Sequence, residues 1–175
     1  MKRVNIEITG VVPLLHNKFS TENDGTKKEK RKVYVPEDEA RKLLYQNPDG
    51  TIYQPAEHIF QSMIRAATDF KFEGKKSYKD VITSGIVVSP ENIPLIIELP
   101  YEIDARRVVI NRASVIKWRP RFNQWKLQFT IDILDDTNIS VSTLKDILEK
   151  AGSTKGVGDY RPRFGRFMVT QFQVV

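Results

Sequence analysis

The chain lacks cysteine altogether, and its 175 residues include only two histidines. Without cysteine there is no disulfide framework, no thiolate zinc site and no cysteine nucleophile. No stretch approaches the ~18 consecutive apolar residues of a membrane span, and the alternating N-terminal segment lacks a signal-peptide apolar run. A chain of this length buries roughly 70% of its unfolded surface without a metal or disulfide. We therefore expect a cytoplasmic protein with no membrane segment, folded as one domain over residues 1–175.

Positive charge is abundant and clustered. The net charge is +6 with a pI near 9.5, which permits phosphate-rich partners. Seven lysines and arginines and no acid lie between Arg106 and Lys126, and four basic residues with only Asp159 lie between Lys155 and Arg166. A third group, Lys27 to Lys32, lies in the polar segment 20–32, for which we predict a mobile basic insertion.

The hydrophobic pattern predicts alternating strands and helices. Apolar residues recur at helical spacing after Pro55 and after Ser142, and with period two elsewhere. We predict that Gly152 ends the second helix as a C′ glycine, and that Pro36 opens a further short helix. The predicted strands cover residues 4–8, 85–88, 93–99, 107–118, 125–133 and 166–174, with a hairpin loop at 119–124.

Without insertions, the predicted order is strand, helix, strand, strand, helix, strand. This order is typical of the ferredoxin-like α+β fold, in which two helices cover one face of an antiparallel sheet. We predict this fold with an elongated hairpin around residues 107–134. RNA-recognition domains of this kind use the open face of the sheet, where aromatic residues stack on bases.

One short motif occurs twice. Residues 118–122 (WRPRF) match residues 160–164 (YRPRF), each an aromatic followed by Arg-Pro-Arg-Phe in a predicted loop. Arginine binds phosphate through a planar fork, and aromatic rings stack on bases. The alternative is that the aromatics are core residues and the arginines are ordinary surface charge.

The second copy lies in a glycine-rich stretch, residues 152–167. Glycines allow backbone amides to approach a phosphate closely. The stretch lacks the Gly-Lys-Ser/Thr ending of a Walker loop and follows a helix rather than a strand. The alternative is a plain helix-to-strand connection with tight turns.

This glycine-rich loop, placed between the last helix and the final strand, resembles the signature of the RAMP superfamily of CRISPR RNA-binding proteins. Gly156, Gly158 and Gly165 match the loop glycines, and residues 55–67 match the position of the first helix. The resemblance implies RNA or single-strand binding and head-to-tail assembly, in a CRISPR subunit or a relative encoded by a phage or mobile element.

Two histidines are the weak candidates for catalysis. Metal-free RNA cleavage requires a group that moves protons, and His16 or His58 could supply it. Neither has a partner at a diagnostic spacing, so a structural role is the alternative for both. We predict no metal site and no cofactor.

We therefore predict non-catalytic binding of single-stranded nucleic acid, RNA in preference to DNA, by a homo-oligomer or a subunit of a nucleoprotein complex. The alternatives are a metal-independent endoribonuclease and a structural or assembly protein of a phage or mobile element. The predicted nucleic-acid contacts are Arg112, Lys117, Trp118, Arg119, Arg121, Phe122, Lys155, Gly156, Gly158, Tyr160, Arg161, Arg163, Phe164 and Arg166.

Overall fold

The computed structural model describes residues 1–19 and 33–175, so the predicted insertion at 20–32 lies outside the described residues. In chain order, the elements are β1 (Lys2–Gly10), β2 (Leu14–Leu15), α1 (Pro36–Lys42), β3 (Tyr53–Pro55), α2 (Ala56–Ala67), β4 (Lys71–Glu73), β5 (Lys76–Ser77), α3 (Lys79–Gly85), β6 (Ile86–Ser89), β7 (Asn92–Ile96), β8 (Glu102–Ile110), β9 (Ala113–Phe122), β10 (Lys126–Ile133), α4 (Val141–Thr154) and β11 (Phe167–Val174).

The main sheet has the strand order β11–β1–β10–β7–β3, and β6 also pairs with β10. All of its paired neighbours are antiparallel. The elements β1, α2, β6 with β7, β10, α4 and β11 therefore follow the ferredoxin-like order. The predicted fold class, α+β with an antiparallel sheet, is confirmed.

Helices α2 and α4 pack against each other and against one face of this sheet. Alternate residues of β1 and β10, such as Ile6 and Leu127, are buried beneath them. Ile59 and Met63 of α2 and Ile147 of α4 complete the same core. Each such side chain contributes about 1.5–3 kcal/mol of hydrophobic free energy. The core anchors β1 and α4, and the segments that follow these two elements, β2 and residues 155–166, build the candidate site.

The elongated hairpin exists, but its predicted boundaries were wrong. Residues 107–118 are not one strand, because the chain reverses at Asn111 and Arg112, whose φ angles are +48° and +66°. Two consecutive residues with positive φ form a type I′ turn, whose backbone twist matches that of the flanking strands. The sequence of such a turn is most often Asn-Gly. Because the second residue of this turn is arginine and not glycine, the sequence does not show the usual pattern of a hairpin turn.

The predicted hairpin loop at 119–124 was also wrong, because residues 119–122 belong to β9. β9 pairs with β8 along its length and with the two-residue strand β2 at its end. These three strands form a second sheet, and α1 packs against the hairpin. The first copy of the repeated motif therefore lies on a strand, at the base of a hairpin.

Helix α4 continues past Gly152 to Thr154, so Gly152 does not end it as predicted. A Cβ at Gly152 would lie 2.3 Å from the carbonyl oxygen of Phe167, so this glycine allows β11 to pass close to the helix. The left-handed residue after the helix is Gly156, with φ +71°. Among the described residues, no helix has the length and apolar character needed to cross a membrane.

Candidate nucleic-acid interface

The two copies of the repeated motif meet in space. The loop at 155–166 lies along β2, since Asp159 donates its backbone N–H to Leu15 and Gly165 donates to Pro13 (2.9 and 2.8 Å). On the other side of β2, His16 donates its backbone N–H to Pro120 of β9 (3.1 Å). An ion pair of 2.6 Å between Arg119 Nε and Asp159 Oδ2 joins the copies directly. Strand β2 thus aligns both segments at one end of the molecule.

Most of the predicted contact side chains reach solvent, but three do not, and Arg112 lies in the β8–β9 turn, at the far end of β9 from the motif copies. Arg119, Phe122 and Phe164 are only 5%, 1% and 6% exposed. Exposed or half-buried are Arg112, Lys117, Trp118, Arg121, Lys155, Tyr160, Arg161, Arg163 and Arg166.

Phe122 does not face solvent, and a base cannot stack on it. Its ring packs against His16 and Tyr101, with centroids 4.7 and 5.8 Å apart, inside the core. The alternation of β9 places this side chain inward, which the prediction of a loop at this position missed. Phe122 is a core residue that holds the base of the hairpin.

Phe164 supports arginines instead of facing solvent. The guanidinium of Arg106 lies 4.8 Å from its ring centroid, and that of Arg121 lies 5.8 Å away. Arg106 also lies 5.6 Å from the ring of Tyr160, which is 48% exposed. Such contacts hold the guanidinium planes against aromatic faces.

The carboxylate of Asp104 fixes the same arginines from the other side. Arg106 donates from Nε and Nη2 to its two oxygens at 2.6 and 3.0 Å, and Arg121 Nη1 lies 3.7 Å away. This fork raises the pKa of Arg106 above its usual value. Because these hydrogen bonds already restrict the Arg106 side chain, less conformational entropy is lost when this side chain binds a ligand. The sequence showed Arg106 only as part of a charge cluster, because its aromatic partners, Tyr160 and Phe164, come from a distant loop.

Arg119 is a structural residue in this arrangement. Its side chain is 7% exposed and its ion-pair partner Asp159 is 28% exposed. Its Nη1 has no hydrogen-bond partner among the described residues. No ligand can reach this guanidinium without a rearrangement of the protein. The role of Arg119 is therefore structural: its ion pair with Asp159 holds the two motif copies together.

Replacing Arg119 by alanine should therefore reduce the stability of the fold. Loss of one partner of a largely buried pair costs about 2 kcal/mol here, since Asp159 keeps partial access to water. For a chain of this size, this lowers the Tm by roughly 5 °C. Thermal unfolding of Arg119→Ala, with the exposed Arg163→Ala as control, measures the difference. An unchanged Tm for Arg119→Ala would contradict the structural role.

The loop glycines serve the folding of the loop itself. A Cβ at Gly158 would lie 2.6 Å from the carbonyl oxygen of Leu15, and one at Gly165 would lie 1.7 Å from that of Val157. Gly156 has a positive φ and faces Gly165 at 3.0 Å. The chain therefore needs glycine at these positions to close the loop against β2, whether or not a ligand is present.

Further cations surround Asp159. Burial, and then the charge of Arg119, lowers the pKa of Lys117. Burial, and then the charge of Arg65, lowers the pKa of Arg161. Arg65 lies on α2 and was absent from the sequence-based site, since nothing in its local pattern links it to the loop. Positive charge thus exceeds negative charge around this carboxylate.

The other basic residues of the loop differ in their pairing. Lys155 lies 3.5 Å from Asp69, which also lies 4.0 Å from Lys150. Arg161, Arg163 and Arg166 have no ion-pair partner within the described ranges, 1–19 and 33–175. We use the name arginine surface for the solvent-reaching residues of this end: Arg106, Lys117, Arg121, Tyr160, Arg161, Arg163 and Arg166.

The two histidines are linked through a buried glutamine. His16 Nε2 lies 3.1 Å from Gln54 Oε1, and Gln54 Nε2 lies 2.5 Å from His58 Nδ1. His16 is completely buried, and burial lowers its pKa to about 3. His58 is half-buried, and its pKa is lowered by burial and by Arg161. Gln54 and His58 are four residues apart at the start of α2. This spacing is the one feature of the sequence that could have predicted their hydrogen bond.

The open face of the main sheet differs from the expected aromatic platform. Arg3 and Asp132 form a forked ion pair across it at 2.6 and 2.8 Å. Gln128 and Thr170 both donate to Glu7, at 2.8 and 2.9 Å. These polar groups satisfy one another, so this part of the open face is not the aromatic platform expected from the sequence.

The fold is similar to that of a chain in the cryo-EM structure of the Type III-B Cmr-beta complex bound to cognate target RNA. The TM-score is 0.63 and the sequence identity is 10%, so the likeness shows the fold alone. The match covers 99% of this chain but 60% of that chain, so this chain spans less than two thirds of its neighbour's length. No protein-family model and no curated protein matches the sequence.

Proposed function

We propose that this protein binds single-stranded nucleic acid, RNA in preference to DNA, along the arginine surface. The observation behind the proposal is that the two motif copies meet, and that Arg121 of the first copy and the neighbouring Arg106 lie against Asp104 and the ring of Phe164. Arginines held on aromatic rings are suited to phosphate contact and base stacking. The RNA-bound state of the Cmr-beta neighbour supports the choice of ligand.

The charge balance of the site favours an anion. Asp104 already has two arginine partners, and Asp159 is surrounded by Arg119, Lys117 and Arg161. Arg163 and Arg166 add two exposed charges on the same loop. A strand of phosphates laid across this end would offset the mutual repulsion of these cations. We propose that the chain is a relative of the RAMP superfamily and an RNA-binding subunit of a cytoplasmic nucleoprotein complex; the fold and the glycine-rich loop support this proposal.

Fluorescence anisotropy with labelled RNA, single-stranded DNA and duplex tests this function. We expect the tightest binding to single-stranded RNA. For three phosphate contacts, raising the salt from 50 to 200 mM should weaken that binding roughly twentyfold, since log K falls by about 0.7 per contact and decade of salt. Absence of binding to all three ligands at low salt would refute the proposal and leave the basic surface to a protein partner.

A second candidate function arises from the linked histidines. His58 lies beside Arg161 and has a lowered pKa, so its imidazole is neutral at pH 7 and can accept a proton. In RNA cleavage, it would take the proton of a 2′-hydroxyl as that oxygen attacks the adjacent phosphorus. The O5′–P bond then breaks, leaving a 2′,3′-cyclic phosphate; the leaving 5′ oxygen takes a proton from water to become a hydroxyl, and His58 returns its proton to solvent. Completely buried His16 cannot contact RNA and would only orient Gln54.

Incubation of labelled RNA with the protein in EDTA tests cleavage. Cyclic-phosphate products that disappear in His58→Ala but persist in His16→Gln would establish this activity. RNA that stays intact after long incubation would exclude it without affecting the binding proposal.

A further inference from the structure

A cavity of about 870 Å³ lies beside the arginine surface, between the β8–β9 hairpin, α1 and the chain on either side of residues 20–32. Its volume is in the range of small-ligand sites. Apolar and aromatic side chains line most of it, and Asn17, Lys18 and Lys117 add polar groups. The principal apolar residues are Phe19, Tyr34, Leu43, Ile116 and Trp118.

Several of these apolar groups face solvent. Phe19, Tyr34 and Ile116 are 85%, 57% and 54% exposed, although the core lies only a few residues away in the chain. A contiguous exposed apolar patch with a polar rim marks a binding site for a ligand or partner. Nothing in the ferredoxin-like core requires these residues to be exposed.

Two of the rings are arranged as an aromatic pair. The centroids of Tyr34 and Trp118 are 6.2 Å apart and their planes differ by 31°. Centroid separations of about 4.5–7 Å are those of rings in contact, so Tyr34 and Trp118 must move apart before a base can lie between them.

Charge at the rim favours a nucleotide over an apolar peptide. Lys117 lines the cavity and is also electrostatically coupled to Arg119 and Asp159, which connects the cavity to the arginine surface. Lys18 adds a second ammonium group. The carboxamide of Asn17 can hydrogen-bond the edge of a base, whereas the carboxylate of Glu39 is already paired with Lys42 at 2.8 Å.

We propose that this cavity holds one unstacked base of the single strand whose phosphates lie on the arginine surface. Tyr34 and Trp118 stack on the two faces of the base, and Lys117 contacts the adjoining phosphate. The assignment rests on the proposed function, and it adds Phe19 and Tyr34 to the residues that meet the strand.

Tryptophan fluorescence tests the cavity directly, because the chain has two tryptophans and only one lines it. Trp125 is 2% exposed and donates its indole N–H to Val12 (2.9 Å), so a ligand cannot reach it. We expect a hexameric oligouridylate to quench the emission of Trp118, and an abasic hexamer of equal charge not to do so. Trp118→Phe should abolish the quenching.

Affinity provides the second readout. Tyr34→Ala should weaken binding of oligouridylate roughly tenfold, a typical loss for one stacking ring, and should leave the abasic hexamer unaffected. Phe72→Ala, which removes a ring packed on Tyr78 on the β4–β5 hairpin, is the matched control and should change neither affinity.

The outcomes separate the two proposals. Equal, salt-sensitive binding of both hexamers without quenching would overturn the base site and leave the arginine surface in place. Binding of neither hexamer would overturn both. A change in Trp118 emission with protein concentration, and not with either hexamer, would assign the cavity to a second copy of the chain and overturn the base site.

Discussion

Replacing Arg161, Arg163 and Arg166 together by alanine is expected to weaken binding of single-stranded RNA roughly 100-fold at low salt. Each lost charge-assisted contact is worth about 1 kcal/mol in net binding free energy. The slope of log K against log salt should also fall by about 2, since each phosphate contact contributes about 0.7. Anisotropy titrations at several salt concentrations measure both quantities.

The control for this variant removes the same charge elsewhere. Lys71, Lys75 and Lys76 are exposed on the β4–β5 hairpin, outside both motif copies. Their triple alanine variant should keep most of the affinity and of the salt slope. Equal losses in the two triple variants would mean that net charge, and not the arginine surface, accounts for binding.

Acid is expected to destabilise the protein through His16. The folded state holds this residue with a pKa of about 3, whereas the unfolded chain has the ordinary value near 6.5. Above pH 6.5 neither state binds a proton there. As pH falls below 6.5, only the unfolded state is protonated, so the free energy of unfolding falls by about 1.4 kcal/mol per pH unit until about pH 3.

Urea unfolding between pH 7.5 and 4.5 measures this effect, which we expect to be about 3 kcal/mol. His16→Gln should remove most of the slope between pH 6.5 and 5, whatever its stability at pH 7.5. His58→Gln should retain most of it, because His58 is only half-buried. A full slope in His16→Gln would show that other groups account for the acid sensitivity.

The core of the fold could be predicted because its signals are local. The apolar stripe of α2 and the alternation of β1 and β10 depend only on residue spacing. The hairpin could not be placed, because Asn111-Arg112 forms a left-handed turn without the glycine that usually marks it. Gly152 misled the prediction of a helix end because its actual contact, the backbone of Phe167, lies far along the chain.

The composition of the repeated motif nominated the candidate site but could not give its geometry. The two copies meet in space, yet they have different structures, one on a strand and one in a loop. Arg119 is buried on the strand, whereas its counterpart in the loop, Arg161, is half-buried. Arg65, Tyr34 and the Gln54 link between the histidines depend on tertiary contacts that no local pattern encodes.

Photo-crosslinking of RNA containing 4-thiouridine, followed by mass spectrometry of the peptides, tests most directly where the strand lies. We predict crosslinks in the peptides that contain Trp118 and Tyr160, the first residues of the two motif copies. Crosslinks confined to residues 126–132 on the open sheet face, or the absence of any crosslink at low salt, would contradict RNA binding by the arginine surface.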